Sequence, residues 1–141
     1  MALSEPLQPL RKIGYGRPMK FTQDISSGQN VIRAYSKGHI SINGIAFEES
    51  LIITPATIIE QWRPQRFEDL CEDDFAAAVA LEPQLVILGT GDRHAFPHPS
   101  LLRLLVERGI GLESMSTAAA CRTYNILVSE GRQVAAALII R

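Results

Sequence analysis

Leu85-Val86-Ile87-Leu88-Gly89-Thr90-Gly91-Asp92, followed after a gap by Ser116-Thr117-Ala118-Ala119-Ala120-Cys121-Arg122-Thr123-Tyr124-Asn125, decides how this chain folds. Leu85 to Leu88 is an unbroken apolar run, the pattern of a strand covered on both faces. The glycine-bearing turn after it ends that strand abruptly. Ser116 and Thr117 are good N-cap residues, and the alanine-rich stretch beyond them predicts a helix from Thr117 to Glu130, stopped by Gly131. If the strand at Leu85 and a second strand at Ile110–Met115 are parallel neighbours, the glycine turn and the helix start open at one sheet edge.

The pattern extends in both directions. Glu68 to Leu81 is acidic first and alanine-rich later, which predicts a helix with Asp73 and Asp74 in its opening turns. Pro97 and Pro99 precede a helix from Ser100 to Arg108 that stops at Gly109. Val134 to Ile140 closes the chain as another buried strand. Residues 31–62 differ: they are β-branched and punctuated by turns. Asn43-Gly44 between His39–Ile42 and Ile45–Phe47 is a strong hairpin signal, because both turn positions take positive φ. With Val31–Ser36, Leu51–Thr54 and Thr57–Trp62, this half reads as an antiparallel meander. Residues 1–29, broken by Pro6, Pro9, Gly14, Gly16, Pro18 and Gly28, read as an irregular arm; residues 30–141 read as a single α/β domain with a mixed sheet, helices on one face and the hairpins over another part.

The chain has 141 residues, 46% hydrophobic and 21% charged, with formal net charge −1. That composition suits an ordinary globular domain, and no overall basic field exists to attract nucleic acid. No apolar window reaches the length of a membrane span. Two cysteines are too few for a disulfide framework and suit a reducing compartment, so a cytoplasmic location is expected. The start of the chain lacks a secretory apolar region, and the basic residues near it do not form an amphipathic presequence. Monomer and homodimer are left equally open.

Candidate site residues follow from the sheet-edge geometry. Gly89, Thr90, Gly91, Ser116 and Thr117 would bring backbone amides and a helix dipole to a small anion or polar ligand. Arg122 and Asn125 share a helix face from which they could reach a ligand, a loop carbonyl or a protein partner. Tight-turn and capping roles explain the same residues. The dinucleotide fingerprint is incomplete, since His94 stands where its third glycine belongs, and no phosphate-loop lysine follows. No cofactor is therefore expected. No metal is expected either: two cysteines and three histidines are scattered, and Pro97 lies between His94 and His98.

No catalytic residue is assigned. An enzyme would have to draw on Cys121, Asp92 or His94, and Cys121 lies a turn too far into its helix for strong activation. Two main functions follow. One is a non-catalytic binding or assembly protein that uses the loop edge and neighbouring surface. The other is a small-molecule enzyme working in the same crevice. A dimer built on exposed apolar hairpin surface is a third.

The segments Leu88–Asp92, Met115–Leu127 and Glu130-Gly131-Arg132 together resemble an uncharacterised conserved family. It includes bacterial and archaeal proteins, an adipogenesis-associated vertebrate protein and the mitochondrial complex I assembly factor 3. The resemblance covers roughly Val31 to Ile140, and its specific part is Thr117-Ala118-Ala119-Ala120-Cys121-Arg122-Thr123-Tyr124-Asn125. It implies a three-layer α/β domain: a mixed central sheet with helices on one side and antiparallel hairpins on the other. It implies no settled enzyme activity or cofactor, and its mitochondrial member suggests a chaperone-like part in assembling a membrane oxidoreductase.

Overall fold

A computed structural model of the chain describes residues 28–141. The irregular arm expected over residues 1–29 therefore lies, except for its last two residues, outside the described part. Strands β1 (Ile32–Ser36), β2 (His39–Ile42) and β3 (Ile45–Phe47) form an antiparallel sheet in that order. The hairpin turn is the expected one, with Asn43 at φ 52° and Gly44 at φ 88°. The central sheet contains β4 (Leu51–Ile53), β5 (Ile58–Ile59), β6 (Leu85–Gly89), β7 (Gly111–Met115) and β8 (Val134–Leu138), in the order β5-β4-β8-β6-β7. β6 is parallel to both β7 and β8, whereas β4 is antiparallel to β8 and to β5. The domain is α/β with a mixed central sheet, as expected.

The meander does not stay together. β4 and β5 leave the hairpin sheet and extend the central one. The reason lies in Leu51-Ile52-Ile53, all fully buried: a run without polar alternation needs cover on both faces, which a position beside β8 supplies. β5 is also shorter than Thr57–Trp62. Gln61 adopts φ 57°, and Trp62 turns into the opposite layer, where its indole N–H donates to the Asp74 carbonyl at 2.8 Å.

The helix expected over residues 68–81 is broken. A 3₁₀ turn at Phe67–Asp69 ends at an extended Leu70, a second spans Glu72–Phe75, and α1 covers Ala76–Ala80. Cys71 is thus a cap with extended backbone, not a helical residue. Asp74 causes the restart by accepting from the Cys71 amide at 2.7 Å, a carboxylate closing back on the cap. Arg63 clamps the same carboxylate from outside, Nε to Oδ1 at 2.8 Å and Nη2 to Oδ2 at 2.7 Å. The Ser100–Arg108 helix likewise begins as a 3₁₀ turn at Pro99–Leu102 before α2 (Arg103–Glu107). Helix α3 runs Thr117–Ser129, and Gly131 follows at φ 80°.

Two apolar layers flank the central sheet. On one face Phe75, Val79 and Leu105, from the 3₁₀ turns, α1 and α2, pack on Ile52, Val86, Leu88 and Ala137. On the other, Tyr124 and Val128 of α3 join Ile32, Ile40 and Ile42 of the hairpin sheet against Ile53, Ile87, Ala136 and Leu138. The expected helix and hairpin layers both exist, and α3, the longest helix, lies with the hairpins. Chain direction explains this. From β6 the chain steps outward to β7, then returns past β6 to β8. Right-handed crossovers that travel in opposite directions put their helices on opposite faces.

The Arg63–Asp74 clamp makes a pH prediction. Burial acts to raise the Asp74 pKa, but the Arg63 and Cys71 hydrogen bonds outweigh it and hold the carboxyl below its usual value. A depressed folded-state pKa contributes stability above the unfolded pKa and loses it as pH falls through the folded one. Asp74→Asn should cost roughly 1–2 kcal/mol near pH 7. The gap to the wild type should close in acid; denaturant titrations that show the same gap at low and neutral pH would refute this linkage.

Candidate functional site

The carboxyl ends of β6 and β7 mark the point where the crossovers diverge, the usual binding place in open α/β sheets. The glycine turn and the start of α3 do meet there. Thr90 N donates to the Met115 carbonyl at 2.9 Å, and Thr117 N donates to the Gly91 carbonyl at 2.9 Å. The Thr117 hydroxyl joins three segments: it accepts from Gly91 N at 2.8 Å and donates to the Ile139 carbonyl at 2.5 Å. Ile139 N returns a bond to the Gly89 carbonyl at 3.0 Å. The Thr90 hydroxyl accepts from Ala95 N at 3.2 Å and faces the carbonyls of Arg93 and Met115.

The hollow expected between turn and helix is filled. Thr117 is fully buried and Thr90 is 5% exposed, so neither offers its hydroxyl to solvent. A Cβ added at Gly89 would meet Thr117 Oγ1 and Leu138 Cδ2 at 3.0 Å, which is why this position is glycine. Gly91 takes φ 101°, as a sharp exit from the strand requires. Ser116 is the N-cap, accepting from Ala119 N at 3.3 Å.

The remaining candidates point elsewhere. Asp92 is exposed and forms an ion pair with Lys37 at 2.8 Å, which ties the glycine turn to the β1–β2 hairpin. His94 is exposed and its ring lies 4.4 Å from that of Phe96. Cys121 is buried, and burial pushes its thiol up to about 12, with Arg122 opposing weakly. A thiol held that high is protonated at neutral pH and is a poor nucleophile. Among the described residues, Cys121, Asp92 and His94 share no hydrogen bond that would make a nucleophile and base of any two. No group of three or more metal-ligating side chains is found among the described residues.

Arg122, Asn125 and Cys121 instead line a groove of about 290 Å³ between α3 and β1, whose other wall is Ile32 to Tyr35. Asn125 closes one end. Its Oδ1 accepts from Ile32 N at 3.0 Å and its Nδ2 donates to the Ile32 carbonyl at 2.6 Å, so one side-chain amide imitates a neighbouring strand. Tyr124 adds a bond from its hydroxyl to the Asn30 carbonyl at 2.9 Å. The β1 wall was not apparent from sequence, because Ile32 and Asn125 lie 93 positions apart. A second hollow, of about 510 Å³, lies at the far end of α3 beside Pro55, Leu81, Pro83, Val128 and Arg132.

A mixed-sheet α/β domain with a sealed strand–helix junction is the class these features define. The chain belongs to the family described as "Protein of unknown function (DUF498/DUF598)", which it matches over residues 32–139. A bovine protein named NADH dehydrogenase [ubiquinone] 1 alpha subcomplex assembly factor 3 is 36% identical over 110 residues, covering 77% of this chain and 59% of that protein. The chain thus spans about three-fifths of that relative's length. A zebrafish (Danio rerio) protein of the same name is 38% identical over 120 residues, 83% of this chain and 68% of that one. Among solved structures, a Bordetella parapertussis protein superposes with a TM-score of 0.77 at 36% identity, covering 81% of this chain and 98% of that one. A Bordetella pertussis protein described as a Mth938-like domain gives 0.71 at 30% identity, covering 79% and 85%.

Two measurements test these assignments. Thr117→Val keeps the shape but strands the Gly91 amide and the Ile139 carbonyl, and should cost about 2–4 kcal/mol. Ser116→Ala removes only a cap and should cost about 1 kcal/mol. Equal denaturation midpoints for the two variants would contradict the bridging role of Thr117. In the native protein a thiol reagent at pH 8 should label Cys71, which is exposed, and spare Cys121 until unfolding. Rapid labelling of both thiols would contradict the burial of Cys121.

Proposed function

We propose that this chain is a non-catalytic protein of the assembly-factor type, which holds a subunit of a multi-subunit oxidoreductase while that complex is put together. The observation that carries this reading is the similarity, across most of this chain, to proteins named as NADH dehydrogenase assembly factors. The geometry supports it. The junction where an α/β enzyme would place its chemistry is sealed by Thr117, and Cys121 is held protonated. In this reading the polar crevice is the α3–β1 groove and Arg122 is its binding residue, whereas Asn125, expected from sequence to reach a ligand, spends its amide on the Ile32 backbone and closes one end.

Among the described residues no helix is long and apolar enough to cross a membrane, so partner contact would occur from the protein's own folded surface. A cytoplasmic location is part of the proposal, and two free thiols, Cys71 and Cys121, suit a reducing compartment. Deleting the chain's gene in its native cells should cause incomplete oxidoreductase subassemblies to accumulate on native gels, and re-expression should clear them. Normal assembly in the deletion would overturn the proposal.

A further inference from the structure

The groove beside α3 has a feature that ordinary helix–sheet packing does not explain: one wall is the open edge of a strand. Among the described residues β1 pairs only with β2, and Ser36↔His39 closes the Lys37–Gly38 turn. Antiparallel residues alternate between bonding the neighbouring strand and facing away. Ser36 and Ala34 therefore bond β2, and Tyr35 directs its N–H and C=O outward. The register shift between Ile32 and Ala34 sets Ile32 outward as well, and there Asn125 satisfies both backbone groups. Among the described residues the Tyr35 backbone pair makes no hydrogen bond outside the β1–β2 ladder.

The dimensions and charge select an occupant. From Ala118 to Asn125 the helix rises about 10 Å, and from Ile32 to Tyr35 the strand advances about 10 Å. A volume of about 290 Å³ lies at the bottom of the usual range for small-ligand pockets. It fits a few residues of extended chain. Among the described residues no carboxylate lines the groove and Arg122 is its exposed cation; Arg33, which also lines it, is already engaged. Ala118, in the first turn of α3, adds the positive end of a helix dipole. Asp92, near the open end, already pairs with Lys37.

We propose that this groove receives an extended acidic segment of the protein partner. The segment's backbone bonds Tyr35 by strand addition, and an aspartate or glutamate lies against Arg122. This inference rests on the assembly-factor reading and adds the chemistry of the partner and the surface it uses. Asn125 sets the register by blocking addition at Ile32.

The test uses a fluorescein-labelled peptide of alternating valine and aspartate, followed by anisotropy and by amide NMR shifts. Controls are a lysine-for-aspartate peptide and a backbone N-methylated acidic peptide. The acidic peptide should saturate and shift the Tyr35 amide, with affinity falling about tenfold or more for Arg122→Glu and for the N-methylated form. Arg122 is exposed, so the variant's unfolding midpoint should match the wild type. Absence of saturable binding, or binding unaffected by Arg122→Glu, overturns the proposal. So does equal competition by free succinate, which would make this a small-anion site, or a Tyr35 shift from self-association alone. In deletion cells, full rescue of assembly by Arg122→Glu would overturn the groove and leave the assembly role standing. Normal assembly without the chain would instead remove the reading beneath it.

Discussion

One hydroxyl holds the centre of this molecule. Thr117 Oγ1 accepts from the turn after β6 and donates to the chain just past β8, while its own amide bonds Gly91. Three segments distant in sequence converge on one fully buried atom. Buried backbone groups without partners are costly, so this arrangement leaves little freedom for α3 to shift over the sheet. It also crowds Gly89, where an added Cβ would sit 3.0 Å from Thr117 Oγ1 and 3.2 Å from its Cα. A sheet edge that often binds ligands is here an internal fastening.

The order β5-β4-β8-β6-β7 determines what remains at the surface. Because the chain reverses direction after β7, α3 crosses the face opposite α1 and α2. There it meets the hairpin sheet. Only part of α3 is needed to cover β6 and β8; Ala118, Arg122 and Asn125 lie along its margin, beside β1. The free polar surface that could bind a partner is thus a product of layer packing, one step removed from the strand ends. Asn125 and Asp92, the latter through Lys37, both tie the hairpin sheet to the rest.

The opposite layer is held differently. Its buried apolar residues include Trp62, Leu70, Phe75, Ala78, Val79 and Leu105, packed against the sheet. Arg63 and Asp74 settle where the helical turns begin, and Trp62 reaches the same segment through its indole N–H. Exposed ion pairs contribute little by themselves. The Asp74 carboxylate is only 7% accessible and answers both a guanidinium and a backbone amide, which explains why the backbone bends to suit it.

Much was legible in the linear sequence wherever cause and effect are local. The apolar runs at Leu85 and Val134, the Asn43-Gly44 turn, the Ser116 cap and the Gly131 stop each act within a few residues, and each element forms where its own residues call for it. The resemblance of Thr117 to Asn125 to a conserved family also survived intact. What the sequence could not settle involved partners far along the chain. β4 and β5 joined the central sheet because Leu51-Ile52-Ile53 needed cover on both faces, and that cover comes from the helical turns on one side and the hairpin sheet with α3 on the other. The helix at Glu68 broke because Arg63 and Asp74 meet across a bend. Thr117 sealed the expected crevice through Ile139, and Asn125 met Ile32 across 93 positions. Local propensity fixes elements, but which polar groups remain open to a ligand depends on what packing brings against them.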